Sequence, residues 1–291
     1  LAENGFFVQM NQHASHLWYL DCWKKRRKKW QYLLAGKEKR DWDRFGFNKT
    51  ELERLPEFIK KFMAGVNKIN LTGSSDQFGS LVTGSFEPLP DEQQDIISRF
   101  AIAFNQAYIR FLDLQKAEAQ AKEAQIEAAL ERVRSRSMAM HKSDELLEAG
   151  EILFLEMQKL GIESLTAGYV LIDEEEKNGL NYTPHPGTKK IMPVPVIIPH
   201  NETIHMQQVV ENWKKGNLFF IVEMDEEETI QHQTFIAERS TNFPLTAAQL
   251  IAISPARLFL HNFFFKEGYV LIVGGTKLSA EQTDIMLRFA K

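Results

Sequence analysis

Two short motifs carry histidines that could do chemistry. "HNETIH" sets His200 and His205 five residues apart, and "NQHASH" sets His13 and His16 three apart. A spacing of three puts two side chains on one face of a helix; a spacing of five does not. Neither motif is the His-Glu-x-x-His of a zinc protease, and zinc takes three or four ligands backed by further hydrogen bonds. No third ligand is evident, so no metal site is expected. Cys22 stands beside six cations, Lys24 to Lys29, in "CWKKRRKKW". Such charge can lower a thiol pKa, but no paired base is apparent and no nucleophilic role is expected. His141, in "MAMHKSDELL", precedes acidic residues as a phosphoacceptor histidine would. It falls between two helical segments with no kinase domain after it, and reads as a solvated junction residue. "VGG" at 273–275 ends a strand without Gly-x-Gly-x-x-Gly spacing and reads as a turn. The chain therefore offers no catalytic motif.

Composition narrows the classes further. The chain has 291 residues, 44% apolar and 25% charged, enough for about two domains with real cores. A net charge of −4 excludes a wholly basic nucleic-acid binder, so the run at 24–29 could attract an anion only locally. One cysteine excludes an intrachain disulfide framework and fits a reducing, cytoplasmic compartment. The apolar stretches near the C-terminus are broken by Arg257, His261 and Lys266. A spanning helix needs about 20 apolar residues, so no membrane insertion is expected. The chain begins on Leu1 rather than Met, which suggests a fragment of a longer protein.

An internal repeat organises the sequence. "FGSLVTGSFEPLPDEQQDIISRFA" (78–101) aligns with "EGYVLIVGGTKLSAEQTDIMLRFA" (267–290) at an offset of 189, Gly79 falling on Gly268 and Asp95 on Asp284. At that offset His16 falls on His205, and "WKK" at 23–25 matches "WKK" at 213–215 with a one-residue slip. Two copies of one domain are expected, the first lacking its opening helix and strand pair.

The second copy reads element by element. Ser143 suits an N-cap, and Leu146, Leu147, Leu153, Met157 and Leu160 recur at helical spacing up to Gly161. "TAGYVLID" and "LNYTP" read as a hairpin whose turn "EEEKNG" ends on Asn-Gly. "MPVPVIIPH" reads as an edge strand, "NETIHMQQVVENWKKG" as a short helix and "LFFIVEM" as a buried strand. "EEETIQHQTFIAE" is helical, "RLFLHNFFF" and "GYVLIVGG" form the last hairpin, and Ser279 with Gln282 caps the closing helix. The class is α+β, antiparallel sheets with helices on their faces.

Between the copies, Asp91 to about Met140 contains no Gly or Pro and is rich in helix formers. At 1.5 Å per residue such a helix is roughly 70 Å long. Phe104, Tyr108, Phe111, Ile126, Leu130, Val133 and Met140 lie on its apolar stripe, which predicts a parallel coiled coil in a homodimer. The expected division is 1–105 for the incomplete first domain, 106–142 for the linker helix and 143–291 for the second domain.

This order of elements resembles the GAF domain, a sensor fold of signalling proteins. The junction at 110–163, "RFLDLQKAEAQAKEAQIEAALERVRSRSMAMHKSDELLEAGEILFLEMQKLGIE", resembles the linker repeated in Bacteroidetes-type multidomain sensor proteins. The resemblance implies tandem GAF-like domains, dimerisation through terminal helices and a ligand held between sheet and short helices. It supplies no ligand motif and leaves any cofactor unknown. The pocket is expected near Tyr169, Leu171, Ile197, His205, Gln208, Trp213, Phe220, Val222, Phe264 and Tyr269, with His16 and His205 as polar candidates. The function implied is a cytoplasmic two-component sensor segment that relays small-molecule or partner binding through a dimeric helix to an output domain outside the chain. The alternatives are a spacer module of a histidine kinase and, least favoured, nucleic-acid binding through the run at 24–29.

Overall fold

In a computed structural model, residues 5–138, 145–190 and 192–291 are described. Ser143, Met140 and His141, singled out above, lie outside them. The chain forms two compact units, 1–119 and 120–291. It is α+β, with two antiparallel sheets and one long helix.

Unit one runs α1 (Ala14–Lys24), β1 (Trp30–Ala35), α2 (Gly36–Lys49), a 3-10 turn at Glu51–Arg54, α3 (Glu57–Gly65), β2 (Lys68–Ser75) and β3 (Ser80–Ser85), then enters α4 (Asp91–Met138). Its sheet has the order β1-β2-β3. Unit two begins within α4 and continues through α5 (Glu145–Lys159), β4 (Thr166–Ile172), β5 (Asn178–Tyr182), β6 (Val196–Pro199), α6 (Ile204–Lys214), β7 (Phe219–Met224), α7 (Glu226–Arg239), α8 (Ala247–Ile253), β8 (Leu258–Phe265), β9 (Gly268–Gly274) and α9 (Ala280–Phe289). Its sheet has the order β6-β5-β4-β9-β8-β7. Apart from the 3-10 turn at Glu51–Arg54, the segment from α6 to α9 repeats the order of helices and strands from α1 to the start of α4. In unit two β9 also pairs with β4; among the described residues β3 pairs only with β2. The short helix α8 escapes the sequence reading because it spans less than two turns between Pro244 and Pro255.

The basic run is a helix-to-strand turn. Lys25 pairs with Asp21 at 2.7 Å, Lys28 with Asp76 at 2.6 Å and Lys29 with Asp95 at 2.6 Å. Arg27 reaches Asp21 at 3.3 Å and lies over the Trp18 ring. Trp30 is buried with its Nε1–H donating to Ser75 Oγ at 2.9 Å, and the Trp23 Nε1–H donates to the Gln77 carbonyl. Cys22 is buried too, and burial pushes its thiol pKa up, outweighing the nearby Arg27.

The two copies end their short helices in the same Schellman motif. The amide of Arg26 donates to the Trp23 carbonyl and that of Arg27 to Cys22; Gly216 and Asn217 do the same to Trp213 and Asn212. The offset here is 190, so α1 aligns with α6 by its caps, and His16 falls on Met206 rather than on His205. Both His16 and Met206 are buried. At the left-handed position unit two has Gly216 at φ 69°, whereas unit one has Arg26 at φ 50°. A side chain there strains the backbone. Arg26→Gly is therefore expected to stabilise unit one by about 0.5–1 kcal/mol, after the entropy glycine adds to the unfolded chain. A denaturant midpoint that rises at unchanged slope is the check.

Strand periodicity sorts unit two into two faces. Ala167 of β4, Phe263 of β8, and Val270 and Ile272 of β9 face one core, with Leu153, Phe154 and Met157 of α5 and Ile285, Met286 and Phe289 of α9. Val170, Val222, Leu258, Leu260, Tyr269 and Val273 face the other, with Met206 and Val209 of α6. Capping boxes start α7 (Asp225, Glu228), α8 (Thr246, Gln249) and α9 (Ser279, Gln282), and Thr203 caps α6. His261 Nε2 accepts the Leu278 amide at 3.1 Å, tying β8 to the approach to α9.

The long helix departs from expectation in its second half. Ile126, Ala129, Leu130 and Val133 are buried in the core with α5 and α9. Arg132 pairs with the buried Glu156 at 2.5 Å, and Arg288 with Glu123 at 2.8 Å. Ile126, Leu130 and Val133 thus serve their own unit and leave no stripe there for a second helix. The reason is that α5 and α9 carry apolar residues, Leu153, Phe154, Met157, Ile285, Met286 and Phe289, into the same cluster as this stretch of α4. Phe104, Tyr108 and Phe111 remain exposed.

The hairpin turn also differs. Asn178 and Gly179 belong to β5, with Gly179 opposite Ile172. Asp173 forms the turn instead, accepting amides from Lys177 at 2.7 Å and Asn178 at 3.1 Å.

Candidate functional site

A cavity of about 80 Å³ lies on the sheet face turned away from α4, α5 and α9. Its floor is the sheet: Thr166, Asn181, Val196, Ile198, Leu258, Leu260, Asn262, Tyr269, Leu271 and Val273. These positions alternate along their strands, as one face of a sheet requires. Met206 of α6, His232, Gln233 and Ile236 of α7 and Leu250 of α8 form the opposite wall. Pro184, Pro186, Met192, Phe243 and Pro244 close the sides from loops.

Besides Thr166 and Thr183, six polar side chains stand out in this apolar lining. The Tyr269 hydroxyl lies 3.1 Å from His200 Nε2, both groups being buried. The Asn262 amide donates to the Phe220 and Leu260 carbonyls, and the Asn181 amide to Gly179 at 2.9 Å. Gln233 donates to Ser254 Oγ at 2.8 Å. Nδ1 of His200 and Nδ1 of His232 are buried without a hydrogen-bond partner among the described residues. Burial pushes the His200 pKa down to about 4, against the opposite pull of Asp173. Burial does the same to His232, with His205 adding to it, again to about 4. The Tyr269 hydroxyl pKa is raised by burial. All three are therefore neutral near pH 7.

Gly179 lets this arrangement exist. A Cβ there would sit 2.3 Å from His200 Nε2 and 2.9 Å from Val170 Cγ1. Gly179→Ala is expected to push the ring off Tyr269 and cost about 1–3 kcal/mol, the usual toll of overpacking. Loss of the Tyr269–His200 contact in ring-proton NMR, with a lowered denaturant midpoint, is the check.

Of the ten residues expected in a pocket, Tyr269 lines this cavity. Tyr169 and Leu171 point to the opposite face and border a surface hollow with Leu130 and Phe289. Ile197 lies one residue out of phase with Val196 and Ile198, its backbone bridging to Thr241. His205 and Gln208 are half-buried on α6, whose inward residues are Met206 and Val209. Phe220 and Val222 face the right side but are packed under α6. Trp213 donates Nε1–H to the Phe265 carbonyl at 2.9 Å and, with Phe264, borders a shallow hollow at the strand ends. A one-residue error in phase moves a strand residue to the other face. These strands are apolar on both faces, so their pattern does not mark the pocket side.

The histidine pair of unit one is otherwise engaged. His13 Nδ1 accepts the Ser15 amide and caps α1. His16 lies between the Trp42 indole N–H, 3.0 Å from its Nε2, and the Gln9 carbonyl, 3.2 Å from its Nδ1. Among the described residues no group of three or more His, Cys, Asp or Glu could hold a metal, and no helix is long and apolar enough to cross a membrane.

His232, Asn181, Gln233 and Asn262 escape the sequence reading, which weighs His200 only as a metal ligand. A usable signal existed: Asn181 and Asn262 interrupt apolar strands, where a polar residue needs a reason. No protein-family model matches the chain, and neither the curated proteins nor the solved structures contain a significant match.

Proposed function

We propose that the chain is a regulatory sensor segment of a signal-transduction protein, built from two GAF-like units. Its second unit takes a small molecule, and its helix carries the response toward an output domain. One observation carries this reading. Strand β9 lends Tyr269, Leu271 and Val273 to the cavity and Val270 and Ile272 to the core that holds α4. A ligand that shifts the strand by a fraction of an ångström biases the packing of Ile126, Leu130 and Val133. Packed interfaces of this kind respond by switching between arrangements.

The dimeric part of the reading rests on the first half of α4. Phe100, Phe104, Ala107, Phe111 and Leu114 are spaced alternately by four and three, the seam of a coiled coil, and all are exposed. A second copy of the same helix fits that seam. The chain is expected to sediment as a dimer at micromolar concentration, and the double variant Phe104→Glu, Phe111→Glu as a monomer. A wild-type chain that sediments as a monomer rejects the helix dimer. The spacer reading keeps the seam but gives the cavity no ligand, and it gains if no ligand alters hydrogen exchange at 126–133.

A further inference from the structure

The lining of the cavity selects by charge. Among the described residues that form it there is no Asp, Glu, Lys or Arg. An ion placed there would lose its hydration without a counter-charge, at a cost of several kcal/mol. The lining is not uniformly greasy either. His200 is 1% exposed and His232 7%, and each has a buried Nδ1 with no hydrogen-bond partner among the described residues. A buried polar atom left unmatched costs about 1–3 kcal/mol, and native structures seldom leave one without a purpose. Both rings line the one cavity, and a small ring rotation would offer these nitrogens to an occupant's hydrogen-bonding groups. The remaining wall, from Met206 and Ile236 to Leu260 and Leu271, accepts an apolar body.

We propose that this cavity binds a compact, uncharged organic molecule with an apolar body and an amide- or alcohol-type group that hydrogen-bonds His200 and His232. Carboxylates, phosphates and ammonium ions are rejected. The proposal rests on the sensor reading for its purpose but not for its chemistry.

Four probes of one shape test it on the full chain at pH 7.5: benzamide and benzyl alcohol, neutral, against benzoate, an anion, and benzylamine, a cation. Calorimetric titration and thermal shift are expected to show saturable binding of the two neutral probes and none of the charged pair at equal concentration. Benzamide is expected to bind His200→Phe and His232→Phe about tenfold more weakly than wild type, the loss of one hydrogen bond. If either variant does not fold, the wild-type histidine ring nitrogens serve instead. Their NMR shifts should move with benzamide and stay still with benzoate. Equal or tighter binding of benzoate or benzylamine overturns the charge selection. If none of the four binds, or benzamide binds without moving either ring, the site itself is overturned. Hydrogen exchange at 126–133 separates the two readings: benzamide binding that leaves it unchanged keeps the ligand class and removes the relay.

Discussion

Leu130→Asp is expected to leave the second unit unfolded. Leu130 is 5% exposed and belongs to the core with Leu153, Met157, Val270 and Phe289. Removing a buried leucine side chain costs about 2–5 kcal/mol. The carboxylate adds a desolvation penalty of several kcal/mol, because the nearby Arg288 is already paired with Glu123 and Glu127. Domains of this size are stable by only about 5–15 kcal/mol in total, so the sum approaches or exceeds the reserve. Near-ultraviolet circular dichroism and protease sensitivity of residues 145–291 would report the loss. Leu114→Asp is the control on the same helix. Leu114 is 57% exposed, so stability should move by less than about 0.5 kcal/mol and only self-association should suffer. An unchanged midpoint for Leu130→Asp would show that α4 is no part of the core.

Acidification is expected to produce the other large effect. His200, His232 and His261 each have a pKa pushed down to about 4, burial being the main cause, from an ordinary value of 6.5. The unfolded chain takes up these protons as pH falls below about 6.5, while the folded chain refuses them until about pH 4. Stability is thus full above about pH 6.5, falls through the window between, and is lost by about pH 4. Each histidine accounts for roughly 3 kcal/mol across that window, from 1.36 kcal/mol per pKa unit. Asp173 and Glu156 are lowered from ordinary carboxylate values of 3.8 and 4.5, toward the foot of this window, so the histidines dominate its upper part. Thermal midpoints of unit two measured between pH 7.5 and 4.5 should fall steadily. His232→Phe should reduce the slope by about a third if the three act independently. A flat profile would show that these rings are charged or solvated in the folded chain.

Some of this was legible in the residues. Ser279 with Gln282, and Gly161 after an apolar helix, announce their helix ends because capping is local chemistry. The repeat is legible because Leu89 and Leu278, or Phe100 and Phe289, keep one spacing. The basic run gave up its role once Trp23 was set against Trp213, since helix ends tolerate cations. What stayed hidden depends on partners distant in sequence. Gly179 looks like a turn residue until His200, twenty-one positions on, is seen to rest where its Cβ would be. Ile126 and Phe111 look alike on the helical stripe; α5 and α9 cover the first and leave the second in water. The alignment offset misled at His16 because a single residue of slip before "WKK" moves a buried position to a half-buried one.

The passage from one unit to the other lies inside α4, where Gln120 follows Ala119 with no loop between. Proteases cleave extended chain, and exposed loop tips are their usual targets. Here the boundary offers them only hydrogen-bonded helix, so nicking must wait for several turns to fray. The same fact governs dissection of the protein. A fragment cut at Glu145 would strip the Ile126–Val133 turns from Met157 and Phe289 and expose a greasy seam. One cut near Gln120 keeps that seam closed and is the piece to be expressed alone.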